Sequence, residues 1–190
     1  MQLLIDLLRA LRGLSRLFRF DDGYRNYFDT TIQGTWRSFF AMMLVAPAVA
    51  LRLPEDLGKI YPNATQLEYF AVTVLIYVIG WFAVPIVALE LGRWLKRAEA
   101  MPSYITVYNW LQLIHLPFAI AIWAAVENGA AAIGSLVALL SLAVYLTYLF
   151  YMSRSFLRLE IHAAAVFVIA DVAISLGLEL VQYLALANWH

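Results

Sequence analysis

The sequence predicts an all-α integral membrane bundle of five transmembrane helices, preceded by an amphipathic helix lying in the membrane interface. Three observations predict it. Hydrophobic residues make up 64% of the 190 residues and charged residues only 14%, whereas soluble domains carry about 45–50% and about 25%. The apolar residues fall into long runs rather than into helical or strand alternation, as in polytopic membrane proteins. The basic residues gather between those runs on one predicted side, as positive-inside topology requires.

The first element is residues 1–20, "MQLLIDLLRALRGLSRLFRF". At about 100° per residue, Leu3, Leu4, Leu7, Leu11, Leu14, Leu17 and Phe18 share one face of a helix, and Arg9, Arg12, Arg16 and Arg19 share the other. Such a helix is expected to lie in the interface, leucines among acyl chains and guanidiniums at anionic lipid phosphates. The alternative is a cytoplasmic helix packed on the inner ends of the bundle. Arginines recur through the stretch and no small-residue cleavage site follows an apolar core, so it reads as a retained segment rather than a signal sequence. Residues 21–35 form a polar connection, with Tyr24, Tyr27, Phe28 and the adjoining Trp36 expected at headgroup depth.

The five-span domain occupies residues 36–190, with spans expected at about Trp36–Leu53, Tyr69–Leu89, Ser103–Val126, Ala130–Ser153 and Ile161–Leu186. Crossing about 30 Å of hydrocarbon takes about 20 helical residues. The first span is the shortest, and Arg37 and Arg52 lengthen it by snorkelling. Glu127, Asn128 and Gly129 alone separate the third and fourth spans, which predicts a tight helical hairpin with Gly129 in the left-handed conformation. With the N-terminus cytoplasmic, eleven Lys and Arg residues fall inside and only Arg52 and Lys59 outside. That predicts a cytoplasmic N-terminus and a C-terminus on the exported side. The outer loop "PEDLGKIYPNATQLE" contains the glycosylation triplet Asn63, Ala64, Thr65 but reads as a turn.

The spans carry polar groups. On the third, Tyr104, Tyr108, Gln112 and His115 form one stripe with Asn109 at its edge, and on the fifth Asp171, Ser175, Glu179 and Gln182 share a face. His115 and Asp171 both fall near the midplane, where a carboxylate costs about 2.5–3.5 kcal/mol. They are expected to face the bundle and pair, while Glu179 lies at the depth of Arg52 and suggests a second pair. One reading of His115 and Asp171 is a proton relay or substrate site. The reading we favour is interhelical attachment, worth about 0.6–2 kcal/mol per contact. Pro47, Pro85 and Pro117 should bend three spans. Ala130, Gly134, Ala138 and Ser141 form a small-residue stripe that admits a close neighbour, from this chain or a second copy.

Catalysis finds little support. The chain contains no His-Glu-x-x-His pair, no Gly-x-Ser-x-Gly elbow and no phosphate-cradling glycine loop. It has no cysteine, and its three histidines lie at different depths, so no metal site and no cofactor are expected. A net charge of zero without a basic surface cluster argues against nucleic acid. The partners expected are the lipid bilayer and other membrane proteins or further copies of the chain.

The five closely spaced spans, and the stretch "YITVYNWLQLIHLPF" with Tyr108, Asn109 and Trp110 above all, resemble small bacterial inner-membrane proteins related to the Yip family. Eukaryotic members of that family interact with Rab GTPases and act in vesicle traffic. The resemblance runs from about Trp36 to Leu186 and implies a five-span fold in a bacterial inner membrane, without catalytic residues to carry over. The function expected is therefore non-enzymatic: an accessory, scaffold or membrane-organising protein. The alternative is a small transporter or proton-coupled carrier working through His115 and Asp171.

Overall fold

A computed structural model describes residues 2–50, 61 and 64–187. Among these the chain is helical, with 88% helix and no strand. The α-helices are α1 (Gln2–Leu17), α2 (Ile32–Ser38), α3 (Phe40–Ala50), α4 (Gln66–Trp94), α5 (Met101–Leu111), α6 (His115–Glu127), α7 (Ala131–Leu157) and α8 (Ile161–Ala187). Short 3-10 turns occupy Asp22–Tyr27, Ala98–Ala100 and Gln112–Ile114.

Among the described residues, four stretches are long and apolar enough to cross a membrane: α4, residues 98–127, α7 and α8. The protein is thus a membrane protein with transmembrane helices. α4, residues 98–127 and the C-terminal end of α7 overrun the apolar runs that predict them, because helix continues into the charged margins that end the hydrophobic signal. α4, at 29 residues, is about 43 Å long against about 30 Å of hydrocarbon.

The predicted first span takes a different form over its described part. It consists of two short helices meeting at Phe39, and residues 51–53 lie outside the described residues. The interruption has a local cause. Ser38 Oγ donates to Thr35 O at 2.6 Å and Thr35 Oγ1 lies 3.2 Å from Thr31 O, and such side chains compete with the backbone ladder.

The third span is bent. Pro117 has no N–H to offer the Leu113 carbonyl one turn back, and the helix tightens into the 3-10 turn Gln112–Ile114 just ahead of it. Pro85, in contrast, sits inside α4 without ending it. The hairpin between α6 and α7 closes as its sequence predicts. Gly129 has φ 71°, and the Gly129 and Ala130 amides return to the Val126 and Ala125 carbonyls at 2.9 and 2.8 Å.

α4 runs along α8, α6 along α7, and α7 along α8, while α5 contacts α1, α2, α4 and α7. At Gly134 the close neighbour of this stripe is this chain's own α6: a Cβ there would come within 3.3 Å of Val126 and 3.6 Å of the Ile122 carbonyl. Gly134 and Ser141 are buried there, whereas Ala138 faces outward.

The end of the bundle holding the α4–α5 and α7–α8 turns is called basal here, the opposite end distal. The N-terminal region packs basally. Tyr148 and Tyr151 hydroxyls donate to the Phe18 and Phe20 carbonyls at 2.9 and 2.8 Å, and Arg25 donates to the Ser155 carbonyl at 2.6 Å. Tyr24 is fully buried with its hydroxyl 2.9 Å from Ser155 Oγ, and burial pushes its phenol pKa above the ordinary value. Tyr61 marks the distal end, its ring 5.9 and 6.2 Å from those of Tyr69 and Tyr183.

Candidate functional site

Every residue from Tyr104 to Leu111 on α5 is buried, although this stretch carries two tyrosines, a threonine and an asparagine. Buried polar atoms need partners, and neighbouring helices supply them in three layers.

One layer joins α5 to α2. Thr106 Oγ1 lies 2.9 Å from Thr35 Oγ1 and 3.0 Å from the Pro102 carbonyl, and Asn109 Nδ2 donates to Ser38 Oγ at 2.9 Å. Because Ser38 spends its own proton on the Thr35 carbonyl, it can only accept from Asn109, which fixes the amide's orientation. Asn109 is fully buried, and its Oδ1 has no partner among the described residues. In the second layer Tyr104 donates to Ser153 Oγ at 2.9 Å, since the Ser153 proton goes to the Leu149 carbonyl at 2.8 Å.

The third layer is the candidate site. Asp171 on α8, 4% exposed, accepts from the Tyr108 hydroxyl at 2.7 Å and from the Tyr145 hydroxyl at 3.1 and 3.2 Å to its two oxygens. Tyr145 in turn accepts from Gln112 Nε2 at 3.2 Å. The His115 ring lies 4.8 Å from the Tyr145 ring at 44°. The structure therefore gathers His115, Gln112 and Asp171 around the phenol of Tyr145, which stands between imidazole and carboxylate. Chemically this is a carboxylate held by two phenolic donors, a strong and directional anchor between α5, α7 and α8.

Two voids adjoin it. One of about 10 Å³ is lined by Tyr104, Tyr108, Asp171 and residues of α4, room for about one water. The other, about 60 Å³, lies between α3, α6 and α7 beside His115, Ser141 and Trp123.

The remaining predicted residues sit elsewhere. Gln182 Nε2 bonds Thr73 Oγ1 at 3.0 Å, joining α8 to α4 distally. Ser175 and Glu179 are exposed on α8. The suggested Arg52–Glu179 pair lies outside the described residues at Arg52. Arg9, Arg12 and Arg19 are exposed, while Arg16 bonds Asp21 at 2.9 Å and lies over the Tyr27 ring. Leu14 and Leu17, predicted on the lipid face of α1, belong to the protein core.

Sequence reasoning missed Tyr145, Ser153, Ser38 and Thr106. For Tyr145 a signal was present: Gly134, Ser141 and Tyr145 recur at intervals of seven and four on α7, one helical face. Among the described residues no three His, Asp or Glu converge as metal ligands.

A second polar cluster pins α1. Arg37 Nε donates to Asp6 Oδ2 at 2.6 Å, and the same guanidinium bonds Asp29. The Thr31 hydroxyl and amide donate to Asp29 Oδ1 at 2.7 and 3.0 Å. These Thr31 bonds, with Arg37 adding to them, hold the Asp29 carboxyl below its ordinary range against the opposing effect of burial. Comparison of the chain with protein-family models, with curated proteins and with solved structures gave no match.

Proposed function

We propose that this protein is a non-enzymatic, five-crossing integral membrane protein that acts as an accessory or scaffold for other membrane proteins or for further copies of itself. The observation that carries the reading is the closure of Asp171 by Tyr108 and Tyr145 beside a void of about 10 Å³. A carrier's ion site needs a water-accessible approach, and a carboxylate saturated by phenols serves attachment instead.

Five crossings are supported by the ends of the N-terminal third. Thr35 bonds the Pro102 carbonyl at the basal end, at 2.9 Å, and the Tyr61 ring packs at a tilt against those of Tyr69 and Tyr183 at the distal end. Thr35 and Tyr61 thus lie at opposite ends of the bundle, which supports one passage beyond the four long helices. The basic residues of the basal turns make that end cytoplasmic in a bacterial inner membrane, with α1 lying in the interface and the C-terminus exported. The Yip-like stretch around Tyr108, Asn109 and Trp110 accords with this placement.

Replacing Asp171 with Asn and His115 with Gln tests the functional reading. Attachment predicts a lower unfolding temperature in mild detergent and no proton flux in liposomes before or after. The competing carrier reading, favoured by the void of about 60 Å³ beside His115, predicts flux that these changes abolish with the fold intact. Topology is tested by labelling single cysteines near each end of this cysteine-free chain in right-side-out and inverted vesicles. Labelling of both ends from one side overturns five crossings.

A further inference from the structure

α1 presents three separate arcs. Asp6, Ala10, Gly13, Leu14 and Leu17 are buried against the body of the protein. A second arc, about 90° from the first arginine-bearing positions on the wheel, consists of Leu4, Leu8 and Leu11, which are 60%, 51% and 49% exposed. The third carries Arg9 and Arg12, continued by Arg19 in the turn just after the helix, all exposed and without an acidic partner among the described residues. Arg16 is withdrawn from this group by Asp21 and Tyr27.

The helix is held before any lipid arrives. Asp6 is bonded to Arg37 and to Gln2, and the chain after α1 is tied by Tyr148 and Tyr151. Exposed Trp36 and Trp94 lie at the same basal end, as aromatic residues do at a membrane–water boundary. An apolar ridge flanked by unpaired guanidiniums at that depth is complementary to a negatively charged leaflet.

Building on the interfacial placement of α1, we infer that Arg9, Arg12 and Arg19 form a preformed binding ledge for anionic phospholipid headgroups, with Leu4, Leu8 and Leu11 seated among the acyl chains. The ledge selects lipid charge without folding on contact, because packing on α5 and the Asp6–Arg37 bond already fix its helix.

The test uses the whole chain with a single cysteine, Leu8→Cys, carrying an environment-sensitive fluorophore, in phosphatidylcholine nanodiscs. Small fractions of spin-labelled phosphatidylglycerol or spin-labelled phosphatidylcholine are added as quenchers. Interfacial placement predicts a blue-shifted emission whichever quencher is present. The ledge predicts that phosphatidylglycerol quenches at least about twofold more than phosphatidylcholine at low salt, and that about 1 M salt removes the difference. Combined Arg9→Gln, Arg12→Gln and Arg19→Gln should abolish the preference, whereas Arg16→Gln should preserve it. Blue-shifted emission with equal quenching overturns the ledge alone. Emission unshifted from that in water overturns the interfacial placement and the ledge together, and a preference surviving the triple change overturns the assignment to these arginines.

Discussion

α5 and α6 are the two halves of one bent helix, and their surroundings are opposite. Between Tyr104 and Leu111, α5 has no residue that is not buried, whereas α6 has no buried residue at all. In a water-soluble protein the more apolar segment would be inside. Here α5 carries Tyr104, Thr106, Tyr108 and Asn109, while α6 carries Phe118, Ile120, Ile122 and Trp123. Lipid is as apolar as leucine, so an apolar side chain gains little by leaving it, and a polar one gains a partner by entering the protein. Burial therefore follows hydrogen-bonding need. The α6 half remains associated with α7 chiefly by close van der Waals approach at Gly134.

That contrast can be broken or sharpened by substitution. The largest effect is expected at the carboxylate anchor. Asp171→Ala would strand the Tyr108 and Tyr145 hydroxyls and should lower stability by about 3 kcal/mol, at about 1–3 kcal/mol per stranded group, read by thermal or denaturant unfolding in mild detergent. A change under about 0.5 kcal/mol would mean that this layer does not hold the helices.

Glycines give the next contrast, between a tightly packed helix and an open helix face. A Cβ at Gly34 in α2 would fall 2.2 Å from the Asp29 carbonyl, a backbone atom, whereas one at Gly177 in α8 meets nothing within 4 Å. Gly34→Ala should cost about 2 kcal/mol through overpacking, and Gly177→Ala should stabilise by up to about 1 kcal/mol through helix propensity. Equal unfolding temperatures for the two variants would contradict the assigned difference in packing.

A smaller effect is expected from pH at Asp29. Its carboxyl titrates below the unfolded value in the folded protein, so the stability it contributes is complete above the unfolded pKa. That contribution disappears as pH falls through the lower folded value. The unfolding temperature of the natural chain should therefore drop more steeply from pH 5 downward, over about two pH units, than that of Asp29→Asn. Parallel curves would remove Asp29 from the polar cluster that pins α1. The smallest effect belongs to α6: Ile120, 55% exposed, should tolerate Ala within about 0.5 kcal/mol in a bilayer, since lipid fills the space. A larger loss would show that this face is covered.

The same contrast explains what could be read in advance. The polar stripe Tyr104, Tyr108, Gln112, His115 was visible because helical spacing alone puts those residues on one side. Which groups would meet it was not. His115 and Asp171 share a depth, but the Tyr145 ring lies against His115 while its hydroxyl donates to Asp171. Tyr145 shares a face of α7 with Gly134 and Ser141, but which helices that face meets is undetermined until the rotation of α7 is known. On α1 the amphipathic wheel could not separate leucines facing lipid from those facing protein. Leu14 and Leu17 pack inward while Leu4, Leu8 and Leu11 remain exposed, a division made by where α5 lies.

By itself, the sequence determined that this is a helical membrane protein, because runs of apolar residues of bilayer length and a scarcity of charge leave no other way to satisfy the backbone. It also determined the α6–α7 hairpin, since Glu127, Asn128 and Gly129 leave no room for any other connection. Only the tertiary structure decided which polar residues pair, that α5 forms the centre, and that Gly134 of α7 meets this chain's own α6. Those outcomes depend on the rotation and offset of one helix against another, and helical periodicity fixes positions within a helix but carries no information about the angle at which two helices meet.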